Sequence, residues 1–312
     1  MYYPVLRGKQ FELIALRELA KLQISNFFRP VIEPVKKLSK PFTRTIKELN
    51  DANIVPIVII NSTLGEDDSY RSFYNNLKKE GVDFLPCIAY DNNDTYTSFQ
   101  EIVTYLGEAT HCFYIKSIAE EKVFNHTNNA EMILLESTIT IAQKVSKAFK
   151  LPVVVIEDGF AKQIKNADYP SRSDFSSAIG EYKDAGLSGF GDYTITGSSF
   201  SEGGGPAYVV ALHLSQIIKV SGFLSPDFSV IINHFCSKNN GSYADPAGKF
   251  FEALGKLHKF IDNHSEEEIP RTKSVVEFIK LYESKHFPGL GAVKKLAILH
   301  HVEIIAKHIS GI

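Results

Sequence analysis

Pro152-Val153-Val154-Val155-Ile156-Glu157-Asp158 is a proline, a run of apolar residues, then acid. The same form recurs at Pro4-Val5-Leu6-Arg7, Pro30-Val31-Ile32-Glu33, Pro56-Ile57-Val58-Ile59-Ile60-Asn61 and Pro86-Cys87-Ile88-Ala89-Tyr90-Asp91. His111-Cys112-Phe113-Tyr114-Ile115-Lys116 keeps it without the proline. Successive starts lie about 26 to 40 residues apart, the length of one strand-plus-helix unit. The apolar runs do not alternate with polar residues, so both faces of each strand are expected to be buried, the mark of a parallel sheet covered by helices. Proline, lacking a ladder donor, is tolerated at a strand's first residues.

Helix spacing fills the gaps. Phe11, Ile14, Ala15, Leu19 and Leu22 follow it, as do Leu134, Ile141, Val145, Ala148 and Phe149. A third helix is predicted over 173–185, ending at Gly186 as C-cap. Two further strands are placed at Gly189 to Thr196 and Tyr208 to Leu214, while Phe228 to Phe235 is either a hairpin partner of the latter or the true eighth strand. Six strands in strand–helix order and two more favour closure into a TIM-like (β/α)8 barrel over an open doubly wound sheet. The open sheet's G-x-G-x-x-G turn is missing after the first strand. Helices are predicted at 246–263, 272–284 and 290–309. The expected organisation is a barrel over 1–245 with a β-hairpin extension, and a C-terminal helical appendix over 246–312 that packs on it.

With 312 residues, 44% of them hydrophobic, the chain can bury a large core. A net charge of −2 gives no global pull toward nucleic acid or acidic membranes. Cys87, Cys112 and Cys236 are odd in number and form no C-x-x-C pair, which argues against a disulfide framework or a zinc knuckle and fits a reducing cytoplasm. The opening MYYPVLRGKQ carries no apolar leader region, and no apolar run approaches the roughly 20 residues that span a bilayer.

In such barrels, active sites form at the C-terminal ends of the strands. The residues expected there are Arg7, Lys9, Glu33, Asn61, Asp91, Lys116, Glu157, Asp158, Asp192 and His213, with His234 closing the later strand. Glu33 stands out, lying between Ile32 and Pro34 in an apolar context. Glu33, Asp158 and Asp192 are candidate ligands for Mg²⁺, Mn²⁺ or Zn²⁺ or candidate acid/base groups, and His213 and His234 candidate proton shuttles. The same carboxylates are equally suited to neutralise Arg7, Lys9 and Lys116 as buried ion pairs. Gly203, Gly204 and Gly205 offer backbone amides to an anion after the seventh predicted strand, where barrels often bind phosphate, and Arg7 and Lys9 are expected on the adjoining rim. Asn61, Asp91 and Lys116 complete the expected ligand-binding set. Ser198, Ser199 and Ser201 lack the nucleophile-elbow pattern. The last helix, with Lys294, Lys295, His300, His301, Lys307 and His308 among leucines and isoleucines, is expected to show a solvated face or to dock a partner.

The opening stretch, Met1-Tyr2-Tyr3-Pro4-Val5-Leu6-Arg7-Gly8-Lys9-Gln10-Phe11-Glu12-Leu13-Ile14-Ala15-Leu16-Arg17-Glu18, resembles the N-terminal signature of the bacterial "beta family protein" group, named after a phage protein. Pro30 to Pro34, Gly191-Asp192-Tyr193, the glycine loop, His213 and His234-Phe235 are similar too, so the resemblance spans about residues 1 to 240. It implies a cytoplasmic bacterial protein of mobile-element or anti-phage loci, encoded beside a second gene whose product is the expected partner. It supplies no catalytic residues. Phosphodiester-cleaving barrels also keep an Arg-Gly near the first strand, but Leu6 stands here where they place a catalytic histidine. Two functions are therefore expected: binding or hydrolysis of a phosphate-bearing ligand, a nucleotide or nucleic-acid end, on the barrel rim; or a non-catalytic scaffold that docks a neighbouring gene product.

Overall fold

The computed structural model describes residues 1–64, 69–91, 94–116, 121–126, 128–200, 208–221, 227–238 and 241–311. It divides into two compact units, Met1–Asp158 with Gly180–Tyr193, and Gly159–Ile179 with Thr194–Ile312.

The first unit alternates strands and helices: β1 (Tyr2–Leu6), α1 (Gln10–Leu19), β2 (Val31–Ile32), α2 (Lys40–Asp51), β3 (Ile57–Ile59), α3 (Tyr70–Lys79), β4 (Leu85–Tyr90), α4 (Tyr96–Leu106), β5 (His111–Ile115), β6 (Ala130–Glu136), α5 (Ile139–Ala148) and β7 (Val153–Glu157). After β8 (Arg172–Ser176) and the single turn α6 (Ala178–Glu181), β9 (Gly189–Asp192) pairs with both β7 and β1 and closes the ring. The order β1-β2-β3-β4-β5-β6-β7-β9 is a closed barrel, and every pairing in it is parallel. The fold is a TIM barrel. Its interior is filled by every second strand residue, among them Tyr3, Val5, Val31, Ile57, Ile59, Cys87, Ala89, Cys112, Tyr114, Leu134, Val154 and Ile156. Cys87 and Cys112 both lie here, as buried packing residues. On β9 the inward positions are Gly189 and Gly191. A Cβ on Gly191 would lie 2.1 Å from the Tyr3 carbonyl and 2.6 Å from Ile156 Cδ1, so the closing strand can approach its neighbours only without a side chain there.

Several expectations change. Ala130–Glu136 is a strand, where helix spacing through Leu134 predicts a helix. A four-residue apolar run fits either period, and pairing with β5 and β7 decides it. The eighth barrel strand is therefore β9, and neither Tyr208 to Leu214 nor Phe228 to Phe235 belongs to the barrel.

Those two runs form the second unit. β10 (Ala211–Lys219) and β11 (Phe228–Cys236) are antiparallel, and β8 pairs with β11 to give the order β10-β11-β8. The predicted helix over 173–185 is thus a strand followed by α6. The helices α7 (Pro246–Asp262), α8 (Lys273–Ser284) and α9 (Leu290–Ser310) belong to the same unit, with α9 on β10 and α7 on β11. Cap chemistry starts two of them: Asp245 accepts from the Gly248 N–H at 2.8 Å and Thr272 from the Val275 N–H at 3.2 Å. The face of α9 expected in solvent is partly internal. His300 bonds Thr272 and the Ser215 carbonyl, His301 bonds Ser215, and both rings are fully buried. No described helix is long and apolar enough to cross a membrane.

Candidate functional site

Side chains alternate along a strand, so the interior positions continue beyond each strand's apolar stretch. One step past Val5, Val31, Ile59, Ala89, Tyr114, Leu134 and Ile156 stand Arg7, Glu33, Asn61, Asp91, Lys116, Glu136 and Asp158; one step past Gly191 stands Tyr193. The apolar barrel interior is therefore lidded at its C-terminal end by a polar layer.

Glu33 is the centre of that layer and is only 1% exposed. Arg7 donates to its Oε2 and Lys116 to its Oε1, tying β1, β2 and β5 together across the barrel mouth. Arg7 is aimed by its own backbone. Its N–H donates to the Glu12 carboxylate of α1 at 2.5 Å, and Gly8 follows it at φ +64°, with its missing Cβ leaving room for the Phe42 ring. The guanidinium carbon lies 4.8 Å from the centroid of the Tyr193 ring, and Lys116 Nζ 5.3 Å from that of Tyr114.

A second carboxylate, Glu136, gathers the phenols. Tyr193 and Tyr114 both lie on its Oε2, Tyr114 at 3.0 Å, and their hydroxyls are 2.5 Å apart. Burial, then the neighbouring Glu136 charge, pushes the Tyr193 phenol far above its ordinary range; burial first also raises Tyr114. Both therefore stay protonated. Lys116 moves the other way: burial, then the Arg7 charge, lowers its ammonium to about 8, against a partial upward pull from Glu136 and Asp91. Two cations and two carboxylates, Arg7, Lys116, Glu33 and Glu136, form a neutral set held by side chains from four strands.

The other expected residues are placed differently. Asn61 continues the β3–β4 ladder, its amide donating to the Ala89 carbonyl and its oxygen accepting the Ala89 N–H, both at 2.8 Å. Asp91 gives its backbone N–H to the Asp94 carboxylate at 2.8 Å. Lys9 precedes α1, where its carbonyl accepts the Leu13 N–H. Asp158 is exposed one residue past β7, and Glu157 ends that strand with outward parity. Asp192 is also on the outward face, where the Tyr2 hydroxyl donates to it at 2.8 Å. It cannot share a metal with Glu33, whose two oxygens are already taken by cations. Among the described residues no three His, Cys, Asp or Glu side chains cluster as metal ligands. His213 and His234 lie opposite each other on β10 and β11, in the second unit. Gly203, Gly204 and Gly205 lie outside the described residues.

Comparison with known proteins adds little to this geometry. No protein-family model and no curated protein matches the chain. Among solved structures, it is similar to N-acetylneuraminate lyase from Mycoplasma synoviae with a TM-score of 0.41 and 12% identity, over 62% of this chain and 68% of that one. The strand order above, rather than this likeness, establishes the barrel.

Tyr114, Glu136 and Tyr193 were not foreseen as site residues. Strand parity would have found them, because each sits at an inward position of its strand. Glu136 was hidden by the helical reading of its strand.

Proposed function

We propose that the C-terminal end of the barrel binds a phosphate-bearing ligand, a nucleotide or nucleic-acid end, and carries out acid–base hydrolysis on it. The observation that supports this most is the convergence of Arg7 and Lys116 on a single carboxylate, because the two oxygens of Glu33 mark positions where this site already holds anionic oxygens. An ammonium has three N–H donors. Glu33 takes one from Lys116, whose side chain stays 18% exposed, so the ligand's oxygens bind there from solvent.

Roles follow from the local chemistry. Arg7, fixed by Glu12 and Glu33, supplies permanent positive charge. Lys116, with its ammonium lowered to about 8, loses a proton to a departing oxygen more readily than an ordinary lysine. Glu136 has one oxygen engaged by two phenols, and its other oxygen, with no protein partner among the described residues, receives the proton of the attacking water. Tyr114 and Tyr193 orient that carboxylate.

Calorimetric titration with inorganic phosphate and with adenosine monophosphate tests binding, and hydrolysis of bis-p-nitrophenyl phosphate tests turnover. Saturable binding that Lys116→Ala weakens at least tenfold is expected, with Glu136→Gln keeping affinity and losing turnover. Absence of binding by either ligand, or equal binding by Lys116→Ala, would overturn the proposal.

A further inference from the structure

The second unit carries an arrangement that the barrel does not use. Its sheet order, β10-β11-β8, places one polar side chain from each strand on the same face. His213 on β10 is the direct partner of His234 on β11, and Ser173 on β8 pairs with Ile232, two residues before His234 and therefore on the same face. Ser173 Oγ lies 2.9 Å from His234 Nε2, and His234 Nδ1 lies 2.8 Å from His213 Nδ1. From these contacts we infer that Ser173 is a nucleophile for small carboxylic esters, with His234 as its general base and His213 as the positioning residue behind that base.

The contacts accommodate the tautomers that nucleophilic attack requires. A serine hydroxyl that donates to His234 Nε2 requires the His234 proton on Nδ1. That N–H then donates to His213 Nδ1, which leaves the His213 proton on Nε2. Nucleophile, base and orienting group are thereby connected in series, the relation that activates serine in acyl-transfer sites, with a neutral imidazole in place of the usual carboxylate. Burial keeps the base unprotonated: it lowers His234 to about 4, and burial, then His234 and Lys294 of α9, lower His213 to about 3. Tyr169 stacks on His234 with ring centroids 4.8 Å apart, and the Phe160 ring meets His213 edge-on at 5.1 Å, so aromatic walls hold both imidazoles. Ser173 is part-exposed on the edge strand, within reach of a substrate.

The step balances with water as the second reactant. Ser173 Oγ bonds to the ester carbonyl carbon while its proton passes to His234 Nε2. The carbon–alkoxy bond then breaks, and the departing alcohol takes that proton. Water next attacks the acyl-serine, giving up a proton to His234, which returns it to Oγ as the carboxylic acid leaves.

The test uses the full chain, a fluorophosphonate probe with mass-spectrometric mapping, and p-nitrophenyl acetate. One phosphonyl group on Ser173 is expected. His234→Gln should slow labelling by about 10²–10⁴-fold, the usual contribution of a general base. His213→Leu should lower the rate at least tenfold and shift its pH profile, which in the wild type stays flat from pH 8 down to about 5. Ser173→Ala, removing one hydroxyl from a part-exposed edge position, should abolish labelling and leave the melting midpoint unchanged. No adduct on the wild-type protein, an adduct on another residue, or an unchanged rate in His234→Gln would overturn the inference. None of these residues lies in the barrel cluster, so either reading can fail alone.

Discussion

Replacing Glu33 with glutamine keeps its shape and removes its charge. Arg7 and Lys116 would then share the barrel mouth with Glu136 as the remaining carboxylate of the set, around a position only 1% exposed in the native protein. Breaking a buried pair by removing one partner typically costs about 3–5 kcal/mol, because the remaining charge is uncompensated. Here two cations are left, and Arg7 already pushes the Lys116 ammonium down. The expected loss is therefore at the upper end, about 4–5 kcal/mol, or roughly 10 °C in melting midpoint for a chain of this size. The chain has no tryptophan, so urea unfolding is followed by far-ultraviolet circular dichroism. Glu33→Gln with Lys116→Met, which removes one stranded cation, should recover at least about 1 kcal/mol relative to the sum of the single changes. A loss below about 1 kcal/mol for Glu33→Gln, or strict additivity in the double variant, would refute the view that Glu33 holds the mouth together.

Gly191→Ala should cost about 3 kcal/mol or more, since its Cβ would meet the Tyr3 backbone and the Ile156 side chain; a chemical denaturation curve close to wild type would contradict this. Tyr193→Phe, removing a buried donor from Glu136, should lower stability by about 1–3 kcal/mol in the same assay. The Lys116 ammonium is lowered to about 8, so between pH 8 and its ordinary value of 10.5 the unfolded chain binds the extra proton and stability from this group rises with pH. Lys116→Met should lose that rise when pH-dependent unfolding is compared with wild type. His213, His234 and His300 are held neutral, with values lowered to about 3, 4 and 4, so their contribution is complete above pH 6.5 and declines as pH falls toward 4. His300→Asn should flatten the acid limb of the stability profile.

The barrel was legible because parallel strands buried on both faces leave continuous apolar runs, each ending in a polar residue. Counting them was harder. The run at Met132 to Leu135 is too short to separate a strand from a helix by period, and reading it as helix left a vacancy that the β10 stretch filled. His213 and His234 therefore read as barrel-rim residues, although β10 and β11 belong to the second unit. The strand β8 was opaque for a different reason: Arg172-Ser173-Asp174 has no apolar content, and only its pairing with β11 makes it a strand. Glu33 could be singled out because an acid between Ile32 and Pro34 has no solvent to face. Asp192 looked equivalent from its strand-terminal position, but alternation turns it outward toward Tyr2, one residue away from the inward Tyr193.

The central claim is that Lys116 meets a phosphate-bearing ligand at the barrel mouth. Lysine side-chain resonances, assigned by comparison with Lys116→Met and followed as inorganic phosphate is added, test it most directly. The account predicts a saturable shift of the Lys116 signal, accompanied by a rise in its pKa from about 8, with the other lysine signals unmoved. A Lys116 signal that stays fixed while other lysines shift would contradict it.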